Sequence, residues 1–159
     1  MAKILNITIN PDPILRQRSR EIKPEELPGL RELFADMALT MREKDGVGLA
    51  APQIGRTLRI IAVAVKDKTL LMVNPILKKP SFFKEWGEEG CLSVPGIFGQ
   101  VRRHRSLACD YLDEKGQTQT ITASGLLARI LQHEVDHLDG ILFIDKVRNL
   151  EKAGEQKPL

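Results

Sequence analysis

Five consecutive residues near the end of the chain, His133-Glu134-Val135-Asp136-His137, constrain its fold more than any other feature. Two histidines four apart meet one metal ion when the segment is an α-helix, because positions i and i+4 share a face. Glu134 then stands beside the same ion, placed to take a proton from a water there. The hydrophobic spacing supports the helix. Leu127, Leu131, Val135 and Leu138 form one apolar stripe, and Leu126, Ile130, His133 and His137 form its neighbour. The first stripe is expected to pack on sheets and the second to face the metal. Ser124 suits the N-cap and Gly140 the stop. The competing explanation is a helix that carries two solvated histidines.

Catalytic sites of this kind keep three protein ligands and an open position. The continuation H-E-x-x-H-x-x-G-x-x-H would supply a third histidine. Gly140 fits its glycine, but Phe143 stands where the histidine should be. A downstream glutamate is a second route. Only Glu151 and Glu155 follow, in a short polar stretch. Upstream, Cys91 lies in Glu89-Gly90-Cys91-Leu92-Ser93, and a glycine before a cysteine lets the backbone approach a metal closely. A Cys-His-His set with one open place is therefore expected.

Further elements follow from pattern. Residues 3–9 read as a strand. Pro28 opens a helix to about Lys44, with Leu30, Phe34, Met37 and Met41 on its apolar stripe. Residues 58–65 and 70–73 read as strands, with a break at Asn74-Pro75. Residues 106–112 and 117–123 form a hairpin across Asp113-Glu114-Lys115-Gly116. No periodic pattern marks Pro80–Trp86. The order predicts an α+β fold, antiparallel β-sheets packed around a central C-terminal helix. A single domain is expected over 1–147, with a short polar tail over 148–159.

A chain of 159 residues suits one core. A net charge of +3, without a dense basic stripe, gives no reason to expect DNA as a partner. Arg102-Arg103-His104-Arg105 reads as a solvated strand end. Cys109 reads as a core thiol. No signal-peptide pattern follows Met1, and no apolar run reaches the roughly 20 residues that cross a bilayer. A cytoplasmic, reduced protein without a membrane partner is expected.

Three segments resemble the peptide deformylase family. They are Gly46-Val47-Gly48-Leu49-Ala50-Ala51-Pro52-Gln53, Glu89-Gly90-Cys91-Leu92-Ser93 and Gln132-His133-Glu134-Val135-Asp136-His137, in the family's order and spacing. Asn10–Arg16 is also similar, and the likeness runs from about residue 3 to 147. The resemblance implies antiparallel sheets around a central helix. It implies hydrolysis of the formyl group from N-formyl-methionyl peptides, giving formate and a free amine. It implies Cys91, His133 and His137 as metal ligands and Glu134 as general base. The Gln53 side chain and the Leu92 backbone N–H would bind the developing oxyanion. Without the resemblance, Gln53 reads as a loop amide that caps backbone groups.

Val47, Gly48, Glu89, Gly90, Arg103, Leu126 and Ile130 are implied on the substrate side. Gly48 and Gly90 would admit the substrate backbone, and Val47, Leu126, Ile130 and the His133 ring would line a methionine pocket. Glu89 and Arg103 would form a supporting ion pair, for which Arg102 competes. Cys-His-His suits zinc by ligand type. The resemblance implies Fe(II), with Ni, Co or Zn as substitutes. Some members of the family dock on the ribosome through a longer basic C-terminal helix, and residues 148–159 are short and mixed in charge. Two alternatives stand beside this reading. One is a related metallohydrolase with another N-acyl or peptide substrate. The other is a non-catalytic fold that binds metal for stability.

Overall fold

The computed structural model describes residues 1–152 and 158–159. Strands β1 (Gly48–Ala50), β2 (Ile60–Val65), β3 (Lys68–Lys78), β6 (Ser106–Leu112) and β7 (Thr118–Ser124) form one antiparallel sheet in the order β1-β2-β3-β6-β7. Strands β4 (Lys84–Cys91), β5 (Val94–His104) and β8 (Val147–Lys152) form a second, in that order. Helix α1 covers Arg31–Glu43 and helix α2 covers Gly125–Leu138.

Alternation along the five-stranded sheet decides where the helices sit. A strand shows successive side chains to opposite faces. Ile61, Val63 and Met72 join the cluster of Ala128, Ile130, Leu131, Val135 and Leu138 from α2. Their neighbours Ile60, Ala62, Leu71 and Val73 join Phe34, Met37 and Met41 from α1. The sheet is thus covered on both faces, which explains the nearly unbroken apolar run of β2. Helix α2 also faces the second sheet. The Gln132 Nε2 donates to the His104 carbonyl at 3.0 Å, and its Oε1 accepts from the His104 N–H at 3.0 Å. Arg129 donates to the carbonyls of Glu85 and Val101 at 3.0 and 2.9 Å. The central helix is therefore clamped between two sheets.

Several expectations change. Residues 3–9 form no strand. Their backbone is satisfied elsewhere: Leu5 N–H donates to Thr40 Oγ1 at 2.8 Å and Thr8 N–H to the Gln53 carbonyl at 2.7 Å. Helix α1 starts at Arg31, because Pro24–Leu30 forms a 3-10 turn instead. Strand β3 continues through the expected break. Asn74 takes a positive φ of 52°, the register shifts between Val73 and Ile76, and the Asn74 amide bonds the backbone of Ile22 at both ends.

The expected boundary at 147 falls at the start of β8. Residues 148–152 belong to that strand, and the rest of the tail up to 157 lies outside the described residues. Gly140 stops α2 with φ 75°, and a Cβ there would run into the Arg16 carbonyl oxygen. Among the described residues no helix is long and apolar enough to cross a membrane.

Candidate metal centre

Cys91 ends β4 on the second sheet, whereas His133 and His137 lie one turn apart on α2. The clamp brings all three together. One ligand atom from each lies within 4.8 Å of the others, and all three residues are buried. Cys91 Sγ stands 3.3 Å from His137 Nε2. The His133 Nε2 has no hydrogen-bond partner. A buried polar atom left unpaired costs about 1–3 kcal/mol. A sulfur and two imidazoles converging on one point are a donor set that a divalent cation satisfies. The site therefore fits a metal ion.

Glu89 orients this set. Its carboxylate accepts from His133 Nδ1 at 2.9 Å, from Arg103 Nε and Nη2 at 2.9 Å each, and from Arg129 Nη1 at 2.7 Å. A carboxylate on Nδ1 fixes the ring and turns Nε2 toward the metal position. Burial would raise the Glu89 pKa, but the hydrogen bonds from Arg103 and His133 outweigh it and hold the group well below the usual range. Burial would lower His133, but Cys91 and Glu89 push it up to about 10. Burial drives His137 well below its ordinary value.

Arg103 and Arg102 separate by strand alternation. Arg103 is buried and also reaches Asp136 Oδ2 at 2.6 Å, while Arg102 is exposed. The basic run is thus a solvated strand end only in part. The Glu89–Arg103 pair is bonded within the protein to His133, Arg129 and Asp136.

Sequence reasoning missed Arg129. Its guanidinium lies across Gly87, where a Cβ would come within 2.6 Å of Cζ. Helical periodicity gave no sign of it, because the partner is a glycine on another element.

Glu134 is fully buried and neither of its carboxylate oxygens has a partner. Burial raises its pKa to about 7. A Cβ on Gly48 would lie 2.5 Å from Glu134 Oε1. The Glu134 carboxylate by itself therefore requires glycine at position 48. Gly48→Ala should keep the fold and displace that carboxylate. A loss of about 100-fold in activity is expected, as for a misplacement near 1 Å. Steady-state kinetics beside a thermal melt would check it, and unchanged kinetics would reject the packing argument. At Gly90 the ring of Phe98 takes the space of a Cβ, so that glycine also answers to its own fold.

Gln53 uses both ends of its amide. Oε1 caps the Ala50 N–H at 2.9 Å, and Nε2 points to Ser93 Oγ at 3.2 Å and Cys91 Sγ at 3.4 Å. The donor end thus faces the ligand cluster. Leu92 follows Cys91 in the turn between β4 and β5. Val47 and Ile130 share one apolar cluster, but Leu126 is 61% exposed and stands outside it. Leu126 lies in the first turn of α2, and Leu127 packs inward in its place. Cys109 is buried and free, its thiol pushed up to about 11 by burial, and Cys91 is also unpaired.

The family profile described as Polypeptide deformylase matches residues 4–153. A peptide deformylase of Desulforudis audaxviator is 41% identical over 153 residues, covering 96% of this chain and 99% of that one. One from Pelotomaculum thermopropionicum is 46% identical over 141 residues, covering 89% and 90%. A crystal structure of a class I type b peptide deformylase from Acinetobacter baumannii, bound to Met-Ala-Ser, superposes with a TM-score of 0.89 at 37% identity, covering 92% and 100%. The matched span takes in both sheets, the helix between them and every residue gathered around Cys91. The chain belongs to the polypeptide deformylase family.

Proposed function

We propose that this cluster carries out the family reaction, hydrolysis of the formyl group from N-formyl-methionyl peptides, with Glu134 as its acid and base. The observation that carries the reading is the Glu134 carboxylate, buried without a partner beside a Cys-His-His set. A structural metal site needs no such group and has four protein ligands.

Cys91, His133 and His137 would hold one divalent ion, Fe(II) by family resemblance and with Ni, Co or Zn as substitutes. When bound, the ion supplies a Lewis acid that makes water nucleophilic near neutral pH and steadies negative charge on the formyl oxygen. Glu134 accepts the proton that water loses as its oxygen bonds to the formyl carbon. The carbon–nitrogen bond then breaks, Glu134 returns the proton to the departing amine, and formate leaves. Gln53 Nε2 and the Leu92 N–H would donate to the formyl oxygen as its charge develops. Burial of the site keeps bulk water from screening these contacts. A substrate made at the start of new polypeptides places the work in the cytoplasm.

The test is formate release from formyl-Met-Ala-Ser by anaerobically purified, Fe(II)- or Ni(II)-loaded protein, with acetyl-Met-Ala-Ser as control. Formate without acetate supports the reading. Metal bound through the three ligands without formate would point to another acyl substrate. Cys91→Ser should lower metal retained after dialysis at least about tenfold, since a hydroxyl is a harder and weaker ligand than a thiolate. Undiminished metal content would remove Cys91 from the ligand set.

A further inference from the structure

Leu159 lies inside the fold rather than on its surface, and Pro158 before it is half-buried. Leu159 is only 7% exposed, and its backbone N–H donates to the Gly90 carbonyl at 3.1 Å. Gly90 directly precedes the ligand Cys91. The Leu159 side chain joins the apolar cluster that holds Ala50, Ile130 and Val47. Gly90 and two members of that cluster, Val47 and Ile130, are the residues assigned above to the substrate side of the site. Leucine and methionine are close in volume and exchange readily in apolar sites. Leu159 therefore stands where the first side chain of a substrate would go.

We infer that Pro158–Leu159 is an internal occupant of the substrate cleft that peptides must displace. The inference rests on the functional reading above and adds regulation of that same site. Leu159 carries no formyl group on its nitrogen, which is the amide following Pro158, so the site holds it without turning it over. Only five residues, 153–157, link the end of β8 to this seat. So short a link gives the segment an effective concentration on the order of millimolar, enough for a weak contact to compete. A peptide that binds only the vacated form sees its apparent affinity reduced by the fraction of open molecules. The signature is a raised KM with kcat unchanged.

The experiment compares the full chain with Leu159→Asp, both metal-loaded, on formyl-Met-Ala-Ser. A KM about three- to tenfold lower in the variant with equal kcat is expected. Equal KM values would overturn the inference. In parallel, amide hydrogen exchange is followed by NMR on the unsubstituted chain. The Leu159 amide should be protected, and added Met-Ala-Ser should abolish that protection. A Leu159 amide that exchanges freely, or stays protected at saturating peptide, would also overturn it. If neither chain releases formate, the functional reading fails, and the exchange measurement alone decides whether the cleft is occupied.

Discussion

Alanine at position 134 should leave the chain folded and metal-loaded while lowering kcat/KM for a formylated peptide by about 10²- to 10⁴-fold. No other group in the described site is placed to do the same work. His133 and His137 belong to the proposed ligand set, and Glu89 is held by two arginines and a histidine. The native carboxylate is buried without a partner, a state that costs stability. Glu134→Ala should therefore melt no lower than the parent. Metal content, melting temperature and formate release, measured on one preparation, check all three parts. Activity within a few-fold of the parent would remove Glu134 from the mechanism.

Arg103→Met should produce the largest loss of stability. Arg103 spans both oxygens of Glu89 and reaches Asp136, all within the protein. Breaking a buried ion pair from one side costs about 3–5 kcal/mol, because the remaining charge stays desolvated. Arg129 still bonds Glu89 and Lys146 still faces Asp136 at 3.0 Å, so the lower end of that range is expected. For a domain near this size that lowers the melting temperature by about 6–12 °C. Metal affinity should fall as well, by about 10- to 100-fold, since Glu89 steers His133. The control is Arg102→Met on the exposed face of the same strand, expected within about 0.5 kcal/mol of the parent. Equal effects at the two positions would show that the buried pair is not special.

The contrast between these neighbours shows what pattern reveals and what it hides. Helix α2 was legible because its apolar stripes repeat at helical spacing and its histidines share a face. The β6–β7 hairpin was legible because a turn signal separates two alternating runs. Strand β4 was not, because Lys-Glu-Trp-Gly-Glu-Glu-Gly-Cys lacks apolar alternation. Its buried end consists of Glu89, Gly90 and Cys91, which meet charge partners, the Phe98 ring and His137 rather than an apolar stripe. Residues 3–9 misled for the opposite reason. They alternate like a strand, yet they bond to the Thr40 side chain and to the Gln53 carbonyl of a 3-10 turn.

The candidate ligands and Glu134 could be proposed from spacing and motif. The direction of Arg103, the exposure of Leu126 and the crossing of Arg129 over Gly87 are set by how three distant segments meet. No local pattern encodes such a meeting.

The same geometry bears on the order in which the molecule becomes competent. Gly48, Gln53, Cys91 and His133 come from three stretches of chain, and Cys91 lies 46 residues from His137. Contacts so remote in sequence close large loops and form late. The β4–β5 hairpin closes a tight turn, with Cys91 paired to Val94, and carries the single tryptophan, Trp86. During refolding, fluorescence from Trp86 should recover ahead of formate release. Catalytic power would then be the last property this chain acquires and the first it loses on partial unfolding.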